Sequence, residues 1–207
     1  MAMKNWKYRN EAESESGEEP KVFTIEKPNS EVAPQGNKIY FYSDVSKDSI
    51  LTLNRQIDEL TKQMKIVQFT YNLPEPPAIE IHLCSDGGDV FAAMASVDKI
   101  MDNPVPVDTY CEGLVASAAT LLSSVGRKRY ITKSSCMLLH QISGEFWGSY
   151  AELKDEHANF GLTMELLKNI YLKRTKFKPK ELDELLKHDL YMDASKCLKS
   201  GLVDFII

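Results

Sequence analysis

No run of apolar residues in the 207-residue chain approaches the ~20 that a membrane-spanning helix needs. The opening MAMKNWKYRN lacks the apolar core of a signal peptide. Basic residues are in the minority, with 25 Lys and Arg against 30 Asp and Glu and a net charge of -5, so no basic stripe suits a nucleic acid. These absences lead us to expect a cytoplasmic protein that partners neither nucleic acid nor membrane. Cysteine is scarce: Cys84, Cys111, Cys136 and Cys197 are the only four, and no two of them are paired at the spacing of a metal site. All four read as reduced, structural thiols, with no metal and no cofactor implied. Two familiar signatures are also missing. G-x-G-x-x-G is absent, which removes the dinucleotide fingerprint, and so is the G-x-S-x-G nucleophile elbow.

What is present is an ordinary globular balance, 43% hydrophobic and 27% charged, after an unusual beginning. Residues 1–36 include EAESESGEEP, with five glutamates in ten residues, followed by prolines and polar residues. Such a segment buries too little apolar surface to offset its ordering entropy, so a flexible acidic tail is expected there and a folded domain over 37–207. Strand and helix signals then alternate. Strands are expected at 38–42, 78–84 and 107–111, twice within KRYITKSSCMLLH, and at LVDFII. Helices are expected at 48–64, with Ile50, Leu53, Ile57 and Leu60 on one face, and at 90–102. Others are expected through the small-residue stretch closed by Gly126, over 149–175, at KPKELDELLKHD and at MDASKCLKSG. In the long 149–175 helix, Leu153, Phe160, Met164, Leu167 and Tyr171 are spaced for burial. Strands alternating with helices point to a mostly parallel α/β layer structure.

Three places carry possible chemistry. HLCSDGGDVFAAM joins a strand to a helix through Gly87-Gly88. Asp-Gly and Gly-Gly make turns, but glycines before a helix also let bare N–H groups face an anionic ligand. EGLVASAATLL sets Ser117 among small and apolar residues at the start of a helix, where its hydroxyl would be exposed beside free amides. His140 ends the apolar run CMLLH, and an imidazole there suits a serine as its base. Such a pair wants a carboxylate behind it. Asp155, Asp183, Asp189, Asp193 and Asp204 are all candidates, and spacing does not choose among them.

From about Lys38 onward the chain resembles the ClpP family, the proteolytic subunit of the Clp protease. The matching segments are SDGG (85–88), GLVAS (113–117), MLLHQ (137–141), SGEFWGSYAEL and the long helix after it, DLYMDA (189–194) and KSGLVD (199–204). The resemblance implies the ClpP/crotonase-like fold, repeated β-β-α units in a superhelix with a protruding handle helix. It implies a serine endopeptidase with Ser117 as nucleophile, His140 as base, Asp189 as orienting acid and the N–H groups of Gly88 and Ala118 as oxyanion hole. It further implies self-association into heptameric rings, often stacked as tetradecamers, a peptide or protein substrate, and a Clp-type ATPase as partner.

Departures accompany the likeness. Asp86 and Ile142 stand where the family carries prolines, which suggests a less rigid turn at 85–88. Lys187-His188 precede Asp189 where an acid and an arginine are usual. TKQMKIVQFTYNLPEPP looks longer than the usual connection. Glu80, His82 and Asp102 occupy positions that match the family's aromatic docking pocket for the ATPase, so that dock is expected to be diverged. A catalytically silent ring subunit and a crotonase-type acyl-CoA enzyme are the alternatives in view.

Overall fold

The computed structural model describes residues 36–207. The tail expected at 1–36 lies outside the described residues except for Gly36. Seven strands and six helices follow in order: β1 Lys38–Phe41, α1 Lys47–Thr70, β2 Ile79–Ser85, α2 Val90–Met101, β3 Val107–Ala116, α3 Ala119–Ser124, β4 Arg129–Ile131, β5 Cys136–Leu138, α4 Tyr150–Arg174, α5 Pro179–Leu185, β6 Met192–Asp193, α6 Ala194–Ser200 and β7 Phe205–Ile206. The main sheet runs β1-β2-β3-β4-β7, and every neighbouring pair in it is parallel. The expected mixed α/β architecture with a parallel sheet is therefore what the chain adopts.

Period-two alternation sorts the strands. In β2, Ile79, Ile81 and Leu83 are fully buried in the core, on the face that α1 and α3 pack against. α1 brings Ile50, Leu53, Ile57, Leu60 and Met64 to that core, starting from a Ser46–Ser49 capping box. The opposite face carries Tyr40, His82, Tyr110, Tyr130 and Phe205, one from each strand and in register. Their rings stack in series at centroid separations of 4.8, 4.7, 4.5 and 5.0 Å.

Three elements differ from expectation. α1 runs to Thr70, so the segment that looked like a long connection is mostly helix and only the turn-rich part joins α1 to β2. β3 continues past Cys111 to Ala116, because a register shift lets it change partners. Leu83 pairs with Cys111 but Ser85 pairs with Val115, and Gly113 takes φ 66° inside the bulge. Before the bulge β3 pairs with β4, and after it with β5. In α4 only Thr163, Leu167 and Tyr171 are buried, while Leu153 is 42% exposed. The N-terminal half of that helix extends beyond the sheet layer, so its apolar spacing meets no core within the described residues.

Candidate active site

The bulge at Gly113 aims the end of β3 out of the main sheet, and Ser117 follows directly. Ser117 has φ 52°, one of two positive values outside glycine among the described residues. Its N–H donates to Leu138 O at 2.8 Å, which ties the turn to the end of β5. α3 then begins within two residues. The chain thus makes a sharp strand–turn–helix at Ser117 without glycines on either side of it.

β5 and β6 supply the other two groups. They are antiparallel, with Cys136 opposite Asp193 and Met137 opposite Met192. His140 lies two residues past β5 and Asp189 three residues before β6. The side chains meet: His140 Nδ1 lies 2.8 Å from Asp189 Oδ1, and His140 Nε2 lies 2.8 Å from Ser117 Oγ. Only the tautomer with the proton on Nδ1 satisfies both contacts, since the carboxylate accepts and the serine hydroxyl then donates to Nε2. The Asp189 side chain is 77% exposed and that of His140 30%, so the pair opens to solvent.

The remaining candidate carboxylates are occupied elsewhere. Asp183 pairs with Lys168 Nζ at 2.5 Å, Asp193 caps α6 through Lys196 N–H at 2.8 Å, and Asp204 pairs with Arg129. Asp155 lies on the exposed half of α4.

The turn at 85–88 folds against the same place. Gly87 has φ 99° and sits so close to the serine turn that a Cβ on it would lie 2.6 Å from Ser117 Cβ and 2.7 Å from Ala116 O. Gly88 has φ 139°, and a Cβ there would lie 2.3 Å from Val45 O. The loop before α1 brackets this turn: Val45 N–H donates to Gly87 O at 2.7 Å and Asp89 N–H donates to Val45 O at 2.8 Å. Ser85 Oγ accepts from Gly87 N–H at 3.2 Å, and the Asp89 carboxylate caps α2. The rigidity that a proline would supply at Asp86 is provided instead by these bonds, a support that no local sequence signal announces. Among the described residues, the N–H groups of Gly88 and Ala118 enter no hydrogen bond. Both residues line a cleft of about 270 Å³ with Ser117, His140, Val90, Ile142, Leu167 and Tyr171.

Thr120 and Tyr171 were not singled out for the site by sequence, although Tyr171 falls on the spacing expected for burial. Thr120 Oγ donates to Ser117 O at 2.6 Å, and Tyr171 Oη lies 2.6 Å from Thr120 Oγ. Burial pushes the Tyr171 phenol well above its usual range, so it stays protonated. The buried thiols of Cys111 and Cys197 are likewise pushed up, each to about 12. They are therefore protonated and unreactive at neutral pH.

The positions expected at a partner dock fall on a different surface. His82 is buried in the aromatic stack, its Nδ1 2.8 Å from Glu112 Oε1 and its Nε2 3.5 Å from Glu80 Oε2. Asp102 ends α2 as its C-cap and is exposed. None of the three is Phe, Tyr or Trp, yet Tyr40, Tyr110, Tyr130 and Phe205 stack with the His82 ring to make that strand face an aromatic one.

A parallel sheet that sheds β3 onto a β5–β6 pair, with a long helix reaching past it, defines a ClpP-like α/β protein. A ClpP1 mutant from Listeria monocytogenes superposes with a TM-score of 0.71 over 83% of this chain and 91% of its own, at 18% identity, which fixes the fold. The Clp protease family model matches residues 34–207, and the chain belongs to that family. ATP-dependent Clp protease proteolytic subunit 2 of Chlamydia trachomatis is 32% identical over 170 residues, covering 80% of this chain and 84% of the relative. ATP-dependent Clp protease proteolytic subunit 1 of Chlamydia felis is 31% identical over the same shares. Among the described residues no helix is long and apolar enough to cross a membrane.

Proposed function

We propose that this chain is a serine endopeptidase whose nucleophile is Ser117. The observation that carries the proposal is the continuous contact Ser117 Oγ–His140 Nε2 and His140 Nδ1–Asp189 Oδ1, each 2.8 Å. Ser117 Oγ attacks a peptide carbonyl carbon as its proton passes to His140 Nε2. Asp189 accepts the Nδ1 proton's hydrogen bond and stabilises the imidazolium. The developing oxyanion is met by the N–H groups of Gly88 and Ala118, which are bound to nothing else. His140 then gives its proton to the leaving amine nitrogen, and an acyl ester remains on Ser117. Water enters by the reverse route, with His140 as base, and releases the carboxylate product.

The apolar walls of the cleft, Val90, Ile142 and Leu167, suit one apolar substrate side chain beside the scissile bond. Membership of the Clp protease family, and relatives named as proteolytic subunits of an ATP-dependent protease, support two further parts of the proposal. The chain works as a ring of like subunits, seven to a ring and stackable in pairs, in a cytoplasmic compartment. A Clp-type ATPase feeds it weakly, because Glu80, His82 and Asp102 have altered the dock. The test is hydrolysis of casein and of a short fluorogenic peptide by the wild type and by Ser117→Ala. Cleavage that the alanine variant retains in a contaminant-free preparation rules the proposal out.

A further inference from the structure

A serine at φ 52° occupies the left-handed region, which a residue other than glycine adopts only where its surroundings enforce it. The bonds to Ser117 O identify what enforces it. That oxygen accepts from Thr120 N–H at 3.0 Å and from Thr120 Oγ at 2.6 Å. Thr120 Oγ also lies 2.6 Å from the Tyr171 hydroxyl, 51 residues further along the chain. The proton directions follow from the inventory of donors. A carbonyl only accepts, so the one hydroxyl proton of Thr120 is committed to Ser117 O. Tyr171 must then donate its own proton to Thr120 Oγ. The result is a one-way chain, Tyr171 to Thr120 to the Ser117 carbonyl, from the buried end of α4 to the serine turn. Thr120 is 0% exposed and Tyr171 2%, so water cannot replace either partner.

We propose that Thr120 and Tyr171 are positioning residues for Ser117. They hold its carbonyl, the carbonyl holds the left-handed turn, and the turn keeps Oγ at 2.8 Å from His140 Nε2. Without them, the serine relaxes toward negative φ and its hydroxyl leaves the imidazole. The inference rests on Ser117 being the nucleophile, and it adds that the long helix reports to the nucleophile through one phenol.

The experiment is the rate at which a fluorophosphonate labels the full-length protein, with kcat and KM for a short peptide and thermal unfolding measured alongside. Tyr171→Phe is expected to slow labelling and lower kcat about tenfold, and Thr120→Val more, with KM within twofold of wild type. Thr120→Ser keeps the hydroxyl and should restore the rate to within about threefold. The double variant Thr120→Val with Tyr171→Phe should be no slower than Thr120→Val alone, because both changes break one chain. A merely structural role would lower the melting temperature and leave the labelling rate of the folded protein unchanged. That outcome for Tyr171→Phe, in a wild type that labels at Ser117, overturns this inference and spares the proposed function. A wild type that never labels at Ser117 overturns both. If the valine variant does not fold, Thr120→Ser and Tyr171→Phe decide the matter, the first expected to keep the rate and the second to lower it.

Discussion

Asp189, three residues before β6, meets His140, two residues past the end of the antiparallel partner strand β5. The contact between Nδ1 and Oδ1 is 2.8 Å, and the Asp189 side chain is 77% exposed. Asp189→Asn should leave the fold intact and slow peptide hydrolysis toward the ~10⁴-fold seen when the orienting acid of such a triad is lost. Asp193→Asn keeps a side-chain oxygen to cap α6 and should change the rate less than threefold with little change in stability. If the Asp193 variant is the inactive one and the Asp189 variant is not, the orienting acid has been misassigned.

Gly88→Ala tests the turn beside the serine. A Cβ at φ 139° would meet Val45 O at 2.3 Å, so the turn must move away from the loop that brackets it. Losing one oxyanion donor costs ~10²–10³ in kcat. We expect a loss of that size with KM little changed. Full activity in a folded Gly88→Ala protein would show that the Gly88 amide takes no part.

Asp204 separates stability from catalysis. Burial alone would raise the Asp204 carboxyl, but hydrogen bonds and charge from Arg129 outweigh it and hold the group below its usual range. The pair is bidentate, with Nη2–Oδ1 at 2.6 Å and Nε–Oδ2 at 3.0 Å, and it joins β4 to β7. A carboxyl with a depressed folded-state pKa stabilises the fold above its unfolded value, about pH 4, and that share is lost as pH falls through the folded value. Asp204→Asn should cost about 2 kcal/mol in urea unfolding at pH 7, and the gap from wild type should narrow below pH 4. Peptidase activity at 25 °C should be unaffected. A constant gap from pH 7 to pH 3 would show that the ion pair is not the source.

The order of strands and helices was legible because periodicity and turn residues mark them locally. Gly113, read only as part of a family motif, proved to be the bulge that moves β3 from one partner to another, which no single window of sequence reveals. Ser117, His140 and Asp189 could be nominated from residue type and resemblance, although spacing alone did not choose among five aspartates. Val45 acts through its own backbone atoms on a distant turn, so its side-chain identity carried no signal, and the Thr120 hydroxyl gains its role only when folding brings Tyr171 to it. The aromatic character around His82 was missed for a related reason. Tyr40, Tyr110, Tyr130 and Phe205 are scattered along the chain and become one surface only when five strands align.

That surface bears on the proposed ATPase partner. Fully burying one Leu, Ile or Phe side chain yields ~1.5–3 kcal/mol, and desolvating a carboxylate beside it adds a cost, even for Glu80, which pairs with Lys38. The stacked rings favour an apolar loop, while Glu80 and Asp102 oppose it. We expect the wild type to bind a Clp ATPase weakly in a pull-down, and Glu80→Leu combined with Asp102→Leu to bind at least tenfold more tightly. Tight binding by the wild type, with ATP-driven degradation of a folded tagged substrate, would mean that the rings outweigh the carboxylates.

Mass spectrometry of the protein after fluorophosphonate treatment tests whether Ser117 is a nucleophile activated by His140. The adduct should fall on the peptide that contains Ser117, in folded wild-type protein, and should disappear in Ser117→Ala and in His140→Ala. An unlabelled Ser117 in a folded, ring-competent preparation, or an adduct that persists without His140, would contradict a hydrolytic role for this site.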